Sequence, residues 1–221
     1  MFRLLGPERT GIGFANAVTP NDTINILLHE FTYNGAGVAI GDLNGDGLQD
    51  VYFCGNQVPN KLYLNKGGMH FEDVTEAAHA QKTMDQWSSG VTMVDINGDG
   101  KLDIYVCNTM LEDSAKLRDL LFINQGNDDK GVPRFKEMGL EYGIKDNVQN
   151  SISTFFDYDR DGKLDLIVLR YCPWTPATDV VCKNSKQKHT YCSPEMYTEG
   201  RPRLYHNEGN GKFKDVTAAM G

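Results

Sequence analysis

The sequence predicts an all-β fold made of β-propeller blades, each with four antiparallel strands, and three observations lead to that prediction. A nine-residue motif of acidic and amide residues occurs three times, beginning at residues 42, 95 and 157. Short β-branched and aromatic runs flank each copy, which is typical of strands. The starts are 53 and 62 residues apart, close to the length of a four-stranded blade. We therefore predict three blades, which form a partial propeller.

The repeated motif predicts a calcium-binding hairpin loop in each blade. Side-chain oxygens stand at positions one, three, five and nine, with a glycine at position six that allows a sharp turn. Ca²⁺ prefers six to eight such oxygens, and we expect the main-chain oxygen of position seven to add one. The predicted metal ligands are Asp42, Asn44, Asp46, Leu48 and Asp50; Asp95, Asn97, Asp99, Lys101 and Asp103; and Asp157, Asp159, Asp161, Lys163 and Asp165. About three Ca²⁺ ions per chain are expected.

Two other interpretations of the motif fit the sequence less well. An EF-hand needs a glutamate at position twelve and a helix on each side, but position twelve is Phe53, Val106 or Val168. An ordinary acidic surface turn would explain one copy, because Asp, Asn and Gly are common turn residues. Three copies in the same frame favour metal binding over such a turn.

Composition and charge exclude several classes of function. The 221 residues carry a formal net charge of −8, and ten of the thirty acidic side chains lie in the three loops. Three bound Ca²⁺ ions would leave only a small negative charge. Lysine and arginine are not clustered as a nucleic-acid backbone requires, so no nucleic-acid partner is expected. No apolar run has the length of a membrane span, so no membrane insertion is expected either.

Four strand-like segments recur in constant order, which gives the predicted domain boundaries. Residues 1–34 are predicted to hold N-terminal strands, at Thr10–Phe14 and Ile24–Leu28, that lead into or close the propeller. The blades are predicted at 35–87, 88–151 and 152–221, the last with a cysteine-containing insertion at 171–202. Propellers usually have about four to eight blades, so we expect further blades or a partner subunit to complete the ring.

The five cysteines fall into two groups. Cys54 and Cys107 follow their loops at the same offset, which predicts small buried apolar residues on equivalent strands. Cys172, Cys182 and Cys192 lie in the insertion, where we predict a disulfide between the last two and an oxidising compartment. A zinc site that includes His189 is the alternative for this group. The odd cysteine stays free or pairs elsewhere.

At these residues the sequence resembles the FG-GAP or VCBS repeat family, which includes integrin α subunits. The resemblance rests on Gly37-Val-Ala-Ile-Gly-Asp-Leu-Asn-Gly-Asp-Gly, Leu62-Tyr-Leu-Asn-Lys-Gly and Phe71-Glu-Asp-Val-Thr, and it is greatest to the branch of the acidic cartilage protein (ASPIC/UnbV type) and its bacterial relatives. It extends over most of the chain from Gly35 onward. The resemblance implies a secreted or surface-exposed calcium-bound propeller, commonly of about seven blades, without a catalytic centre.

These observations predict a non-enzymatic calcium-binding module that mediates adhesion or binds a protein or glycan, at an extracellular, cell-surface or periplasmic location. Aromatic residues often dominate interfaces, so Trp174, Tyr191 and Tyr197 in the insertion are candidate ligand-binding residues. The insertion could equally cover a blade edge. Two alternatives stay open: an accessory, non-catalytic part of a secreted hydrolase or lyase, and a structural subunit of a surface or periplasmic assembly.

Overall fold

The protein forms three four-stranded antiparallel sheets and one two-stranded hairpin within the part of the chain that the computed structural model describes. The described residues are 3–28, 32–82, 85–110, 116–144, 147–171, 180–190, 192–193, 196 and 200–220. The strands of each large sheet follow one another in chain order, as in the blade of a propeller. The prediction of an all-β, partial propeller-like fold is thus confirmed.

The twelve blade strands are short, and a helical turn follows the fourth strand of the first and third blades. In the first blade the elements are β1 (Val38–Gly41), β2 (Asp50–Phe53), β3 (Lys61–Asn65), β4 (Phe71–Asp73) and the helical turn α2 (Thr75–Ala78). In the second they are β5 (Ser88–Val94), β6 (Asp103–Asn108), β7 (Leu120–Asn127) and β8 (Pro133–Glu137). In the third they are β9 (Asn150–Phe156), β10 (Asp165–Arg170), β13 (Arg203–Gly209), β14 (Lys212–Asp215) and α3 (Thr217–Met220).

Each predicted loop connects the first two strands of its blade. The strand pairs close directly onto the loop, with Gly41 opposite Asp50 and Val94 opposite Asp103. The third loop is bounded in the same way by Phe156 and Asp165. Position nine of every loop is therefore the first residue of the second strand, which fixes the orientation of its carboxylate relative to the sheet.

The blades pack face to face, and a separate apolar core fills each junction. The first core joins the first two blades, with Tyr52 and Leu62 from one and Ile104 and Phe122 from the other, all at most 3% exposed. The second core joins the second and third blades in the same way. Burial of alternating apolar residues on both faces of a central blade is the main force that holds such a stack together.

The first strands of neighbouring blades approach closely at the inner edge of the stack. Thr92 in β5 donates through its hydroxyl to the main-chain oxygen of Ser153 in β9, at 2.9 Å. At Gly90 a Cβ atom would lie 2.5 Å from the main-chain oxygen of Ser151. A larger residue at this position would force the two strands apart, which explains the glycine.

The N-terminal strands predicted at Thr10–Phe14 and Ile24–Leu28 are wrong. Residues Pro7–Thr10 form one helical turn, α1, and no strand occurs in the described part of 1–34. Proline at the start and Gly11 in the left-handed region, with φ of 74°, favour a short helix that ends there. The segment instead packs on the first blade, where the rings of Phe14 and Phe53 stack at 5.0 Å.

The insertion of the third blade contains a small hairpin closed by a disulfide. Its strands are β11 (Cys182–Lys183) and β12 (His189–Thr190), and Cys182 is bonded to Cys192 as predicted. Cys54 and Cys107 are both buried, as predicted, but only Cys107 lies in a strand, β6, whereas Cys54 directly follows the end of β2. Cys172 lies outside the described residues.

The helices are single turns of four residues in the described ranges. None of them has the length and apolar character that a membrane crossing would need.

Candidate metal centres in three equivalent loops

The aspartate at position nine anchors each loop to the sheet. Both oxygens of the Asp50 carboxylate accept main-chain N–H groups, from Leu43 at 2.9 Å and from Asn65 at 2.9 Å. The same two bonds recur in the second blade, where Asp103 accepts from Ile96 at 3.1 Å and Asn124 at 2.8 Å. Each such carboxylate therefore joins the beginning of its own loop to the third strand of its blade.

The third blade repeats this arrangement at Asp165. Its carboxylate accepts the N–H groups of Tyr158 at 3.1 Å and Asn207 at 2.8 Å. All three position-nine aspartates are 0% exposed. Because a carboxylate oxygen has two lone pairs, each oxygen can accept one N–H group and still coordinate a cation.

The aspartate at position one holds the turn itself. In the first loop the Asp42 carboxylate accepts N–H groups from Gly45 at 2.8 Å, Asp46 at 3.1 Å and Gly47 at 2.8 Å. The corresponding N–H groups at positions five and six bond to Asp95 and to Asp157 at 2.8–3.1 Å. In the first loop, three successive main-chain N–H groups therefore point toward one carboxylate, and in each of the other two loops two N–H groups do so.

Glycine at position six makes this turn possible. Gly47, Gly100 and Gly162 have φ angles of 84°, 84° and 86°, in the left-handed region that a residue without Cβ adopts at little cost. The side chains at positions three and five receive further N–H bonds from within the loop. The predicted ligand side chains of each loop are therefore assembled around one turn.

Burial and like charge disfavour the ionised form of the innermost carboxylates. Burial, together with the nearby charges of Asp99 and Asp95, raises the pKa of Asp103 to about 6. Burial raises the pKa of Asp50 as well, and the charges of Asp46 and Asp42 add to the effect. A divalent cation in the loop would offset both contributions, because it attracts the clustered negative charges.

The donor set of each loop fits a hard cation. Four side chains with carboxylate or amide oxygens surround the turn, and the position-seven residue belongs to the same turn. In the third loop, carboxylate oxygens of Asp157, Asp159 and Asp161 all lie within 4.8 Å of one another. Oxygen-only sets with several carboxylates are what Ca²⁺ prefers in proteins.

Position seven distinguishes the first loop from the other two. Lys101 Nζ lies 2.9 Å from Asp99 Oδ2, and Lys163 forms the same ion pair with Asp161. The hydrogen bonds from Lys101 lower the pKa of Asp99, although its partial burial acts in the opposite direction. Leu48 offers no such cation in the first loop. Each ammonium group binds the Oδ2 oxygen of the position-five aspartate, so it neutralises part of the negative charge of its own loop.

The third strand of each blade contains an asparagine beside a loop, and this asparagine was not predicted as a site residue. Asn124 Nδ2 donates to the main-chain oxygens of Leu43 at 2.9 Å and Leu102 at 3.1 Å, and so ties the first loop to the second blade. Asn207 makes the corresponding bonds to Ile96 and Leu164. The signal that could have identified them is their recurrence at one place in every repeat.

Beside the third loop, strand β13 contains a histidine where the other blades have apolar residues. His206 Nδ1 lies 3.1 Å from Asp165 Oδ1 and 3.4 Å from Asp159 Oδ2. The loop motif did not identify His206 as a residue of the metal site. The candidate ligand-binding residues Trp174, Tyr191 and Tyr197 lie outside the described residues.

Comparisons with known proteins are consistent with the repeated loop geometry. A family model described as FG-GAP-like repeat matches residues 42–106, from the first residue of the first loop into β6. The chain is also similar to curated proteins named Cartilage acidic protein 1. The Xenopus tropicalis protein is 25% identical over 174 residues, or 78% of this chain, and the Homo sapiens protein is 28% identical over 138 residues, or 61%.

The chain spans a quarter or less of the length of these relatives, 25% of the Xenopus tropicalis protein and 20% of the Homo sapiens protein. The matched region includes two complete loops and the first blade from β2 onward. Both the family match and the curated relatives agree with the resemblance seen in the motifs. The third loop and the insertion lie beyond the part that the family model matches.

Proposed function

We propose that this chain is a calcium-braced, non-enzymatic propeller module that binds a partner outside the reducing cytoplasm. The observation that carries the proposal is the threefold recurrence of one loop geometry, with a buried carboxylate at position nine and carboxylate or amide oxygens around the same turn. An acidic surface turn has no reason to repeat a buried anion three times. The disulfide in the insertion favours an oxidising compartment.

Calcium acts as a structural brace in this proposal. In the first loop the ion would be held by the side chains of Asp42, Asn44, Asp46 and Asp50 and the main-chain oxygen of Leu48, with water completing the shell. The bound charge would relieve repulsion among the carboxylates and fix the first two strands of each blade relative to the third. Extracellular modules of this kind bind Ca²⁺ with dissociation constants of about 10⁻⁴–10⁻³ M.

The disulfide-closed hairpin is the proposed recognition surface. Loops on a rigid scaffold commonly carry binding residues, and this hairpin projects from the third blade. Its described residues 180–190 contain three lysines and no acidic residue, and all three lysines are exposed: Lys183, Lys186 and Lys188. A basic surface on a chain with a formal net charge of −8 favours an anionic partner, such as an acidic glycan.

Thermal unfolding with Ca²⁺ and with a chelator tests the proposal, on a sample whose bound metal has been counted. We expect about three ions per chain and a clear fall in melting temperature on chelation. A ligand that binds only the native state stabilises it by about 2.7 kcal/mol per site at a hundred times its dissociation constant. No bound metal and an unchanged melting temperature would contradict the calcium assignment.

A further inference from the structure

The third loop differs from the other two at two positions that are distant in sequence but adjacent in space. At position three it has Asp159, where the first two loops have Asn44 and Asn97. Opposite position nine it has His206. These two side chains approach to 3.4 Å, so both differences fall at the same point beside the Asp165 carboxylate.

Strand register places the histidine at this point. Leu166 pairs with Tyr205, and the next pair toward the loop is Asp165 with His206. By the same register Leu64 faces Asp50 in the first blade and Ile123 faces Asp103 in the second. Leu64 and Ile123 are 0% and 4% exposed in the apolar cores, whereas the His206 side chain is 24% exposed.

The contacts of His206 orient its ring toward the carboxylates. Nδ1 is the atom that faces both Asp165 Oδ1, at 3.1 Å, and Asp159 Oδ2, at 3.4 Å. The ring of Tyr158 packs edge-on against the imidazole, with 5.9 Å between ring centres. Asp165 is fixed by two main-chain N–H bonds. One nitrogen and two carboxylate oxygens therefore converge from three separate parts of the blade.

The two spacings from Nδ1, 3.1 and 3.4 Å, fit one small divalent ion, and the ligand atoms of Asp159, Asp165 and His206 all lie within 4.8 Å of one another. Zinc–nitrogen and zinc–oxygen bonds are about 2.0–2.2 Å, which places neighbouring ligand atoms about 3.0 Å apart at right angles and about 3.4 Å apart in a tetrahedron. Imidazole is a ligand for first-row transition ions, whereas Ca²⁺ takes oxygen ligands. The mixed set of His206, Asp159 and Asp165 suits a transition ion, whereas the oxygen-only set of Asp157, Asp159 and Asp161 in the same loop suits Ca²⁺. Both sets need Asp159, so the two ions compete for one site.

We propose that the third loop binds a divalent first-row transition ion through His206 Nδ1, Asp159 Oδ2 and Asp165 Oδ1, in preference to Ca²⁺. This inference rests on the proposed function, in which the loops hold cations, and it assigns a different ion to one of them. The first two loops keep oxygen-only donor sets and remain calcium sites. The chain would then combine two kinds of metal in one repeated scaffold.

Titration of the 221-residue chain with Co²⁺ in excess Ca²⁺ tests the inference, because Co²⁺ reports nitrogen ligation by its visible absorption. We expect one Co²⁺ per chain that excess Ca²⁺ does not displace. His206→Leu restores the residue type of the first blade and should weaken Co²⁺ binding at least tenfold. Asp159→Asn restores position three of the other loops and should also weaken it. His189→Ala, in the exposed hairpin, is the matched control and should leave Co²⁺ binding unchanged.

Measuring the Ca²⁺ bound by the same samples distinguishes failure of this inference from failure of the proposed function. If Ca²⁺ binds at the first two loops but His206→Leu leaves Co²⁺ affinity unchanged, His206 is only a hydrogen-bonding partner of Asp165 and the inference is wrong. Displacement of Co²⁺ by Ca²⁺ in the unmodified chain would overturn it equally. If neither ion binds, the proposed function fails as well.

Discussion

The two ends of the blades are built on different principles. At the loop end, all three blades use the same buried carboxylate to accept the same two main-chain N–H groups. At the opposite end, the connections between the second and third strands differ in every blade. In the first blade Asn60 contacts Gly55 and Tyr52, and Lys82, from beyond the fourth strand, also donates to this connection. In the second blade Asp119 takes the place of Asn60 and accepts hydrogen bonds from Tyr105 and Asn108, whereas the third blade has a disulfide-closed hairpin.

The buried lysine of the first blade shows how the variable end is stabilised. Lys82 is 6% exposed, and its ammonium group donates to the main-chain oxygens of Gly55 at 2.5 Å, Asn56 at 2.9 Å and Gln86. Burial lowers the pKa of Lys82 to about 8, so the group is still mostly protonated at pH 7. A covalently attached cation here has the role that we propose for free metal ions at the other end.

The difference between the two ends shows which parts of a repeat can vary in sequence. Each nine-residue loop must reverse the chain direction and place several oxygens around one turn. Few sequences meet both requirements. The opposite connections need only satisfy the main-chain groups that they bury, and different side chains can do that. Repeats commonly carry insertions at such connections, on one face of the fold.

The largest effect should come from Asp103→Ala at the uniform end. The substitution leaves the N–H groups of Ile96 and Asn124 buried without an acceptor, at about 1–3 kcal/mol each. We expect the free energy of unfolding to fall by about 4 kcal/mol in urea titrations with chelator present, and by more with Ca²⁺, because the variant also loses a proposed ligand. Asp129→Ala, at an exposed turn residue, is the control and should cost less than about 0.5 kcal/mol. Equal stability of the two variants would show that position nine is not a structural anchor.

A smaller effect is expected from Lys82→Met at the variable end. The methionine fills most of the volume, but three main-chain oxygens lose their common donor. We expect a loss of about 2 kcal/mol in the free energy of unfolding, unaffected by Ca²⁺. Lys136→Met removes an exposed ion pair with Glu141 and serves as the control, with a loss below about 0.5 kcal/mol. A loss that depended on Ca²⁺ would contradict the independence of the two ends.

The smallest effect on stability should come from the basic hairpin. Replacing Lys183, Lys186 and Lys188 by alanine should change the free energy of unfolding by less than about 0.5 kcal/mol, because all three are exposed. The same variant should elute from a sulfated polysaccharide column at lower salt than the unmodified chain. A control with Lys66, Lys130 and Lys136 replaced by alanine removes the same charge elsewhere. Identical elution of the two variants would exclude the hairpin as the anionic-partner site.

The sequence by itself determined the fold class, the loop positions and the disulfide. These features depend on local rules: alternating apolar strands, glycine at position six, oxygen-bearing residues at alternate positions, and cysteines close together in one insertion. The ligand assignment to Ca²⁺ follows from the same rules and stays a prediction. The N-terminal strands were wrong because Pro7 and Gly11 favour a helical turn, and short apolar runs alone do not distinguish the two.

Only the tertiary structure decided what surrounds each loop. Asn124 reaches the first loop from 81 residues away, and His206 meets Asp165 across 41 residues. Such contacts depend on the register of paired strands and on the packing of one blade against the next, which no local pattern specifies. The sequence of the third loop resembles those of the first two, and the histidine on a neighbouring strand makes its surroundings different.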